Sequence, residues 1–151
     1  MPAEILRPAA PADREAVERL VEAAYGGYIE RIGRRPAPMD ADYVVLIAAG
    51  RVTVAERDGE VAGVLVLVPM EDHLLVENIA VDPTAQHTGL GRRLMAHAED
   101  EARALGLSEL RLYTNERMVE NIAWYPRLGY RETERRAESG FARVFFRKRL
   151  S

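Results

Sequence analysis

The apolar positions change their period along this chain, and each change marks an element. Ile5 and Leu6 sit in a short extended run from Glu4 to Pro8, ended by prolines at 8 and 11. Val17, Leu20, Val21, Ala24 and Tyr25 then recur at helical spacing from a start at Ala12 or Asp13, and Gly26-Gly27 stops that helix. Tyr28 to Met39 is arginine-rich, carries Pro36 and Pro38, and predicts a loop or short helix. Asp40 is placed to cap a second helix carrying Tyr43, Val44, Ile47 and Ala48, with Gly50 at its end. Val52 to Arg57 and Val61 to Val68 flank Asp58-Gly59, a strong signal for an antiparallel hairpin. Leu74 to Val81 predicts the next strand, Leu90 to Leu105 a long amphipathic helix closed by Gly106, and Glu109 to Thr114 a strand parallel to its predecessor through a right-handed crossover. A helix over 117–128 and two strands, 129–136 and 141–148 around Ser139-Gly140, complete the pattern.

One junction carries more information than the others. Between the strand ending Ile79-Ala80-Val81-Asp82-Pro83 and the helix from Leu90 lie Gln86, His87, Thr88, Gly89 and, one residue into the helix, Gly91. A helix start leaves backbone N–H groups without partners and adds partial positive charge, so it attracts an anion, and glycine lets a diphosphate approach the backbone. The alternative is a glycine-rich connection that binds nothing. Two phosphate motifs fail here. A dinucleotide fingerprint needs glycine where Leu94 stands, and a P-loop needs Gly-Lys-Ser/Thr where Gly91 is followed by Arg92-Arg93.

The spacing Gln86-x-x-Gly89-x-Gly91 resembles the acyl-CoA signature of the GNAT superfamily of N-acetyltransferases. Ile79 to Pro83 upstream and Trp124-Tyr125-Pro126-Arg127-Leu128-Gly129-Tyr130 downstream extend the likeness over most of the second half. The first half agrees in the order of its elements, β-α-α-β-β-β-α-β-α-β-β. The resemblance implies an α/β (α+β) fold as a single domain over residues 1–151. It implies a mixed, mostly antiparallel central sheet, helices on both faces, and a V-shaped splay between the fourth and fifth strands.

Composition narrows the chemistry. No cysteine is present, which removes disulfides, thiolate metal sites and a cysteine nucleophile. His73, His87 and His97 lack the spacing of a helical metal clamp, so no metal is expected. The net charge of −3, with positive residues dispersed, argues against nucleic acid as a partner. The longest apolar run, Val61 to Val68, is far short of the roughly 20 residues that span a bilayer, and the N-terminus lacks a secretory pattern. A cytoplasmic enzyme without membrane contact is the expectation, and a homodimer is left open.

From the resemblance, acetyl-CoA is the co-substrate. Its pantetheine arm enters the splay and pairs with backbone groups of Ile79 and Val81, and its diphosphate rests on N–H groups from His87 through Arg92, with Gln86, Thr88, Gly89, Leu90 and Gly91 in the same signature. A strand N–H near Ile79 or Ala80 stabilises the anionic intermediate, and Tyr125 serves as general acid toward the departing thiolate. The alternative for Tyr125 is an aromatic core plug beside Trp124, and Pro126 disfavours helical geometry at Tyr125. Glu77, two residues before Ile79, is a candidate general base or else a surface charge. The family's pantetheine-binding asparagine falls at Met118, leaving Asn115 and Asn121 as replacements. Tyr113 and Asn115 are further candidates for holding substrate.

The expected activity is transfer of an acetyl group to a primary amine of a small molecule or peptide by direct attack within a ternary complex. A CoA-binding regulatory module and a structural subunit that keeps only the fold are the alternatives. Among Tyr25, Tyr28, Arg31, Arg34, Arg35 and Tyr43, the arginines are candidates for an acceptor carboxylate, against the reading of an exposed, solvated loop.

Overall fold

In the computed structural model the described residues are 4–151, so residues 1–3 of the expected 1–151 domain lie outside them. The strands are β1 (Ile5–Pro8), β2 (Val52–Arg57), β3 (Glu60–Pro69), β4 (Leu74–Val81), β5 (Glu109–Asn115), β6 (Arg131–Glu138) and β7 (Phe141–Arg149). The helices are α1 (Arg14–Tyr25), α2 (Tyr28–Ile32), α3 (Tyr43–Ala48), α4 (Leu90–Ala104) and α5 (Val119–Arg127), with single 3-10 turns at Pro11–Asp13, Ala37–Asp40 and Pro83–Ala85. All seven strands form one sheet in the order β1-β2-β3-β4-β5-β7-β6, and β4–β5 is its parallel pair.

Alternation sorts the side chains into two layers. Val64 and Val66 of β3 pack with Val17, Val21, Tyr43 and Ile47 under α1 and α3. Leu65 and Leu67 pack with Leu90, Leu94, Met95 and Ala98 of α4, and with Tyr125 of α5. β3 therefore buries both faces, which is why Val61 to Val68 reads as a continuous apolar run. Gly63 leaves room for the side chains of α4: a Cβ there would lie 3.0 Å from Leu94 Cδ1 and 3.3 Å from both Ala55 Cβ and Leu90 Cδ2. Gly63→Val is expected to destabilise the fold by about 1–3 kcal/mol through overpacking, read as a lower urea midpoint at unchanged slope.

Two departures from regularity shape the site. The β3–β4 register shifts between Val66 and Leu67, whose partners are Asn78 and Val76, so Glu77 is the extra residue of a bulge. The bulge reverses the alternation: Val76 belongs to the α4 layer, whereas Ala80 belongs to the α1–α3 layer. Beyond the bulge, β4 parts from β5. Their pairing covers Leu74↔Leu110 to Val76↔Leu112 and extends no further, leaving residues 77–81 with β3 alone. This is the expected splay.

Local expectations needed two corrections, and a third held. The cap of α3 is Asp42, whose carboxylate accepts from the Val45 N–H, while Asp40 pairs with Arg35 at 2.8 Å. Pro38 draws residues 37–40 into a 3-10 turn, which moves the helix start two residues on. Tyr125 is helical despite Pro126 after it, because the Tyr125 carbonyl accepts from Leu128 and Tyr130 N–H at 3.0 and 3.1 Å in the closing turn. The arginine-rich stretch opens with the expected short helix, α2, stopped by Gly33 in a left-handed conformation (φ 87°).

Candidate active site

The open edge of β4 is the centre of the site. Asp82 N–H donates to the Ala62 carbonyl, and the register runs in step from that pair through Val81↔Gly63, Ala80↔Val64 and Ile79↔Leu65. Antiparallel strands alternate residues that bond across the pair with residues whose N–H and C=O turn away. Ala80 and Asn78 thus use their backbones toward β3, while Ile79 and Val81 present theirs to the gap. Two contacts agree: the Tyr25 hydroxyl lies 2.9 Å from the Ile79 carbonyl, and Gln86 Nε2 lies 3.5 Å from that of Val81. Of the two strand donors expected near the intermediate, only Ile79 has its N–H on the open side. Ala80 turns its N–H toward β3 and lines the cleft.

The turn into α4 is built for close approach to its backbone. His87 has φ 65° and Gly89 φ 90°, so the chain passes twice through the left-handed region before the helix begins. Gly89 is the N-cap and supplies no side-chain cap, and the first intrahelical bond runs from Arg93 N–H to the Gly89 carbonyl at 3.1 Å. The N–H groups of Leu90, Gly91 and Arg92 precede that bond in the first turn. Leu90 is fully buried and its side chain packs in the α4 layer of the core. The Thr88 hydroxyl donates to the Ala85 carbonyl and accepts from Arg57 Nη2, so it braces the turn. Arg92 is exposed. Gly91 has a second reason to lack a side chain: a Cβ there would meet the Trp124 ring at 3.3 Å.

Two clefts meet under this edge. One runs along Ile79, Ala80, Val81, Gln86 and Gly91, walled by Tyr28, Asn121 and Trp124. The other lies across the bulge, lined by Glu77, Tyr113, Asn115, Met118, Phe141 and Arg143 among others, under the 36–41 segment. Tyr25, Ile79, Asn121 and Tyr125 line both. Tyr125 is buried, with ring centroids of Trp124, Phe146 and Tyr130 at 5.4, 5.6 and 6.0 Å. It is a core aromatic and a cleft wall at once. Burial pushes its hydroxyl well above the ordinary tyrosine value. Met118, at the family's asparagine position, is buried with its sulfur 3.5 Å from Thr114 Oγ1, whereas Asn121 faces both clefts. Asn115 reaches only the second cleft and holds Arg117 N–H with its Oδ1.

One residue under the clefts, Asn78, had no signal in sequence. The Tyr25 hydroxyl also lies 2.6 Å from Asn78 Oδ1, Asn78 Nδ2 donates to the Tyr43 hydroxyl at 3.1 Å, and Tyr43 donates to the Pro38 carbonyl at 2.7 Å. This buried chain ties α1, α3 and the 36–41 segment to the strand beyond its bulge. Arg143 was missed as well. Of the arginines that are candidates for an acceptor carboxylate, Arg31 pairs with Glu120, Arg35 with Glu22 and Asp40, and Arg34 lies over the Phe141 ring at 4.1 Å.

Residues 15–130 match the Acetyltransferase (GNAT) family. The chain belongs to that family. Among curated relatives of this GNAT chain, the IAA acetyltransferase of Azospirillum brasilense is 39% identical over 82 residues, 53% of this chain and 54% of the relative. The ribosomal-protein-bS18-alanine N-acetyltransferase of Escherichia coli K12 is 36% identical over 76 residues, 50% of this chain and 51% of the relative. The chain thus spans about half the length of these relatives. The crystal structure of the PaiA N-acetyltransferase of Thermoplasma acidophilum, in complex with coenzyme A, superposes with a TM-score of 0.83 at 14% identity, covering 98% of this chain and 99% of that one. At that identity the likeness is one of fold.

Proposed function

We propose that this GNAT protein is an acetyl-CoA-dependent N-acetyltransferase, a single acyl-CoA-binding domain acting in the cytoplasm on a primary amine. The observation that carries the reading is the meeting of two clefts at Ile79 and Tyr125, one along the open β4 edge and one across the bulge. Such a passage admits donor and acceptor from opposite sides, as direct attack in a ternary complex requires. The names of the two curated relatives, both acetyltransferases, support the same reaction.

Each group has a task in this reading. The first-turn N–H groups from His87 through Arg92 hold the diphosphate, and Gln86 lies beside the arm. Outward backbone groups of Ile79 and Val81 pair with pantetheine amides as a missing strand would. Tyr25 and Gln86 occupy the carbonyls of those residues in the free protein. The Ile79 N–H faces the position of the thioester oxygen, where loss of one such donor costs about 2.7–4 kcal/mol. Glu77, exposed at the bulge, takes a proton from the amine directly or through water. Tyr125 gives a proton to the thiolate, and Asn121 orients the arm.

Thiol release from acetyl-CoA with a panel of amino acids, peptides, polyamines and aminoglycosides tests the activity. A pH profile tests Tyr125. Because burial raises its hydroxyl above the usual value of about 10, the phenol stays protonated and able to donate across the working range. The expected kcat/KM rises as the amine loses its proton and shows no falling limb up to about pH 10. A falling limb between about pH 8 and 9.5 would assign the acid to another group.

A further inference from the structure

The acceptor cleft contains one nearly buried cation. Arg143 is 8% exposed and lines the cleft. Its guanidinium is fixed from two sides, 4.3 Å over the Tyr113 ring and bonded through Nη1 to Glu138 Oε1 at 2.6 Å. Among the described residues that is its one hydrogen bond, which leaves the rest of the planar fork without a protein partner. Glu138 does not cancel it fully, since Arg136 Nη2 shares the same carboxylate at 3.3 Å. A desolvated, pre-oriented guanidinium in a substrate cleft favours a planar anion, which it binds through paired hydrogen bonds.

The opposite wall carries the other sign. Glu77 follows the last β4–β5 pair, Val76↔Leu112, and so lies level with Tyr113, while Arg143 pairs with Asn115 on the far side of β5. Two strand spacings and a two-residue offset along β5 separate the backbones of Glu77 and Arg143 by about 12 Å before side chains reach inward. That leaves room for a compact molecule with its amine toward the carboxylate and its acid toward the guanidinium. Tyr43, Leu46, Pro38 and Phe141 add an apolar stretch of wall beside the polar Asn78, Thr114, Asn115 and Asn121.

Resting on the acetyltransferase reading above, we infer that the acceptor is a small amino acid or amino-acid-like acid with an apolar body, and that Arg143 is the residue that selects its carboxylate. Polyamines and other multiply charged amines are disfavoured by the same cation.

Thiol release is measured with acetyl-CoA and three probe sets: apolar α-amino acids, their carboxamides, and putrescine and spermidine. The acids are expected to exceed their carboxamides by about 10- to 100-fold in kcat/KM, because a charge-assisted paired contact is lost in the amide. In Arg143→Met the acid-to-amide ratio is expected to fall toward one, a ratio measured within one protein and insensitive to its active fraction. If that variant does not fold, Glu138→Gln serves: it removes the competing carboxylate, keeps the guanidinium, and is expected to hold or raise the ratio. Equal use of acids and amides, preference for the polyamines, or a ratio unchanged in Arg143→Met overturns the inference while the acetyltransferase reading stands. Acetyl-CoA binding by calorimetry with no release from any acid overturns the inference, and no release from any amine overturns the acetyltransferase reading with it.

Discussion

Tyr125→Phe is expected to lower kcat by about 10²- to 10⁴-fold with the best acceptor of the panel, while the calorimetric Kd for coenzyme A barely changes. The substitution removes one hydroxyl and keeps the ring among Trp124, Tyr130 and Phe146, so the core around it persists. What disappears is the proposed proton donor at the junction of the two clefts. A protein that binds the coenzyme only as a regulatory signal has no turnover to lose. An active enzyme whose kcat survives the change would place Tyr125 in the core alone.

Gly89→Val is expected to weaken coenzyme A binding by about 10- to 100-fold, read by calorimetry with desulfo-coenzyme A. Gly89 sits at φ 90°, ψ 0° as the cap of α4, a conformation that a β-branched residue adopts only at a cost of about 1–3 kcal/mol. The turn in the variant relaxes away from this shape, and binding must restore it, so the strain enters the affinity at about 1.4 kcal/mol per tenfold. No neighbour lies within 4 Å of a Cβ at that position, so the loss reports backbone shape rather than a clash. Unchanged affinity would mean that the left-handed turn is a connection and nothing more.

The parts of this molecule legible in sequence are those written in local periodicity. Helical spacing over Val17 to Tyr25, Asp58-Gly59 between two apolar runs, and the glycines after Gln86 each announce an element or a turn within a few residues. The bulge at Glu77 does not announce itself. Val76, Asn78 and Ala80 read as one face of a regular strand, and only the pairing with β3 reveals that the face changes at Glu77. Arg143 is hidden for a similar reason. Along Phe141 to Arg149 it alternates with Val144 and Phe146, so the pattern assigns it to the far side of the sheet, and that side reads as solvent. The 36–41 segment covers that side and turns solvent into a cleft wall. The Tyr25–Asn78–Tyr43 chain joins residues 53 and 35 positions apart, beyond any local window. Gly91 was legible as a position that excludes a side chain, but the ring of Trp124 that requires it comes from a helix two elements later.

In the proposed function backbone groups hold coenzyme A, so the most direct measurement sees backbone. A crystal structure of the protein with coenzyme A bound is expected to show the diphosphate on the N–H groups between His87 and Arg92, and the pantetheine arm in the gap beside β4. Its amides should bond to Ile79 and Val81, with the Tyr25 hydroxyl and Gln86 amide displaced from those carbonyls. A coenzyme seated elsewhere, or a gap that stays closed between β4 and β5 with the coenzyme bound, would contradict it.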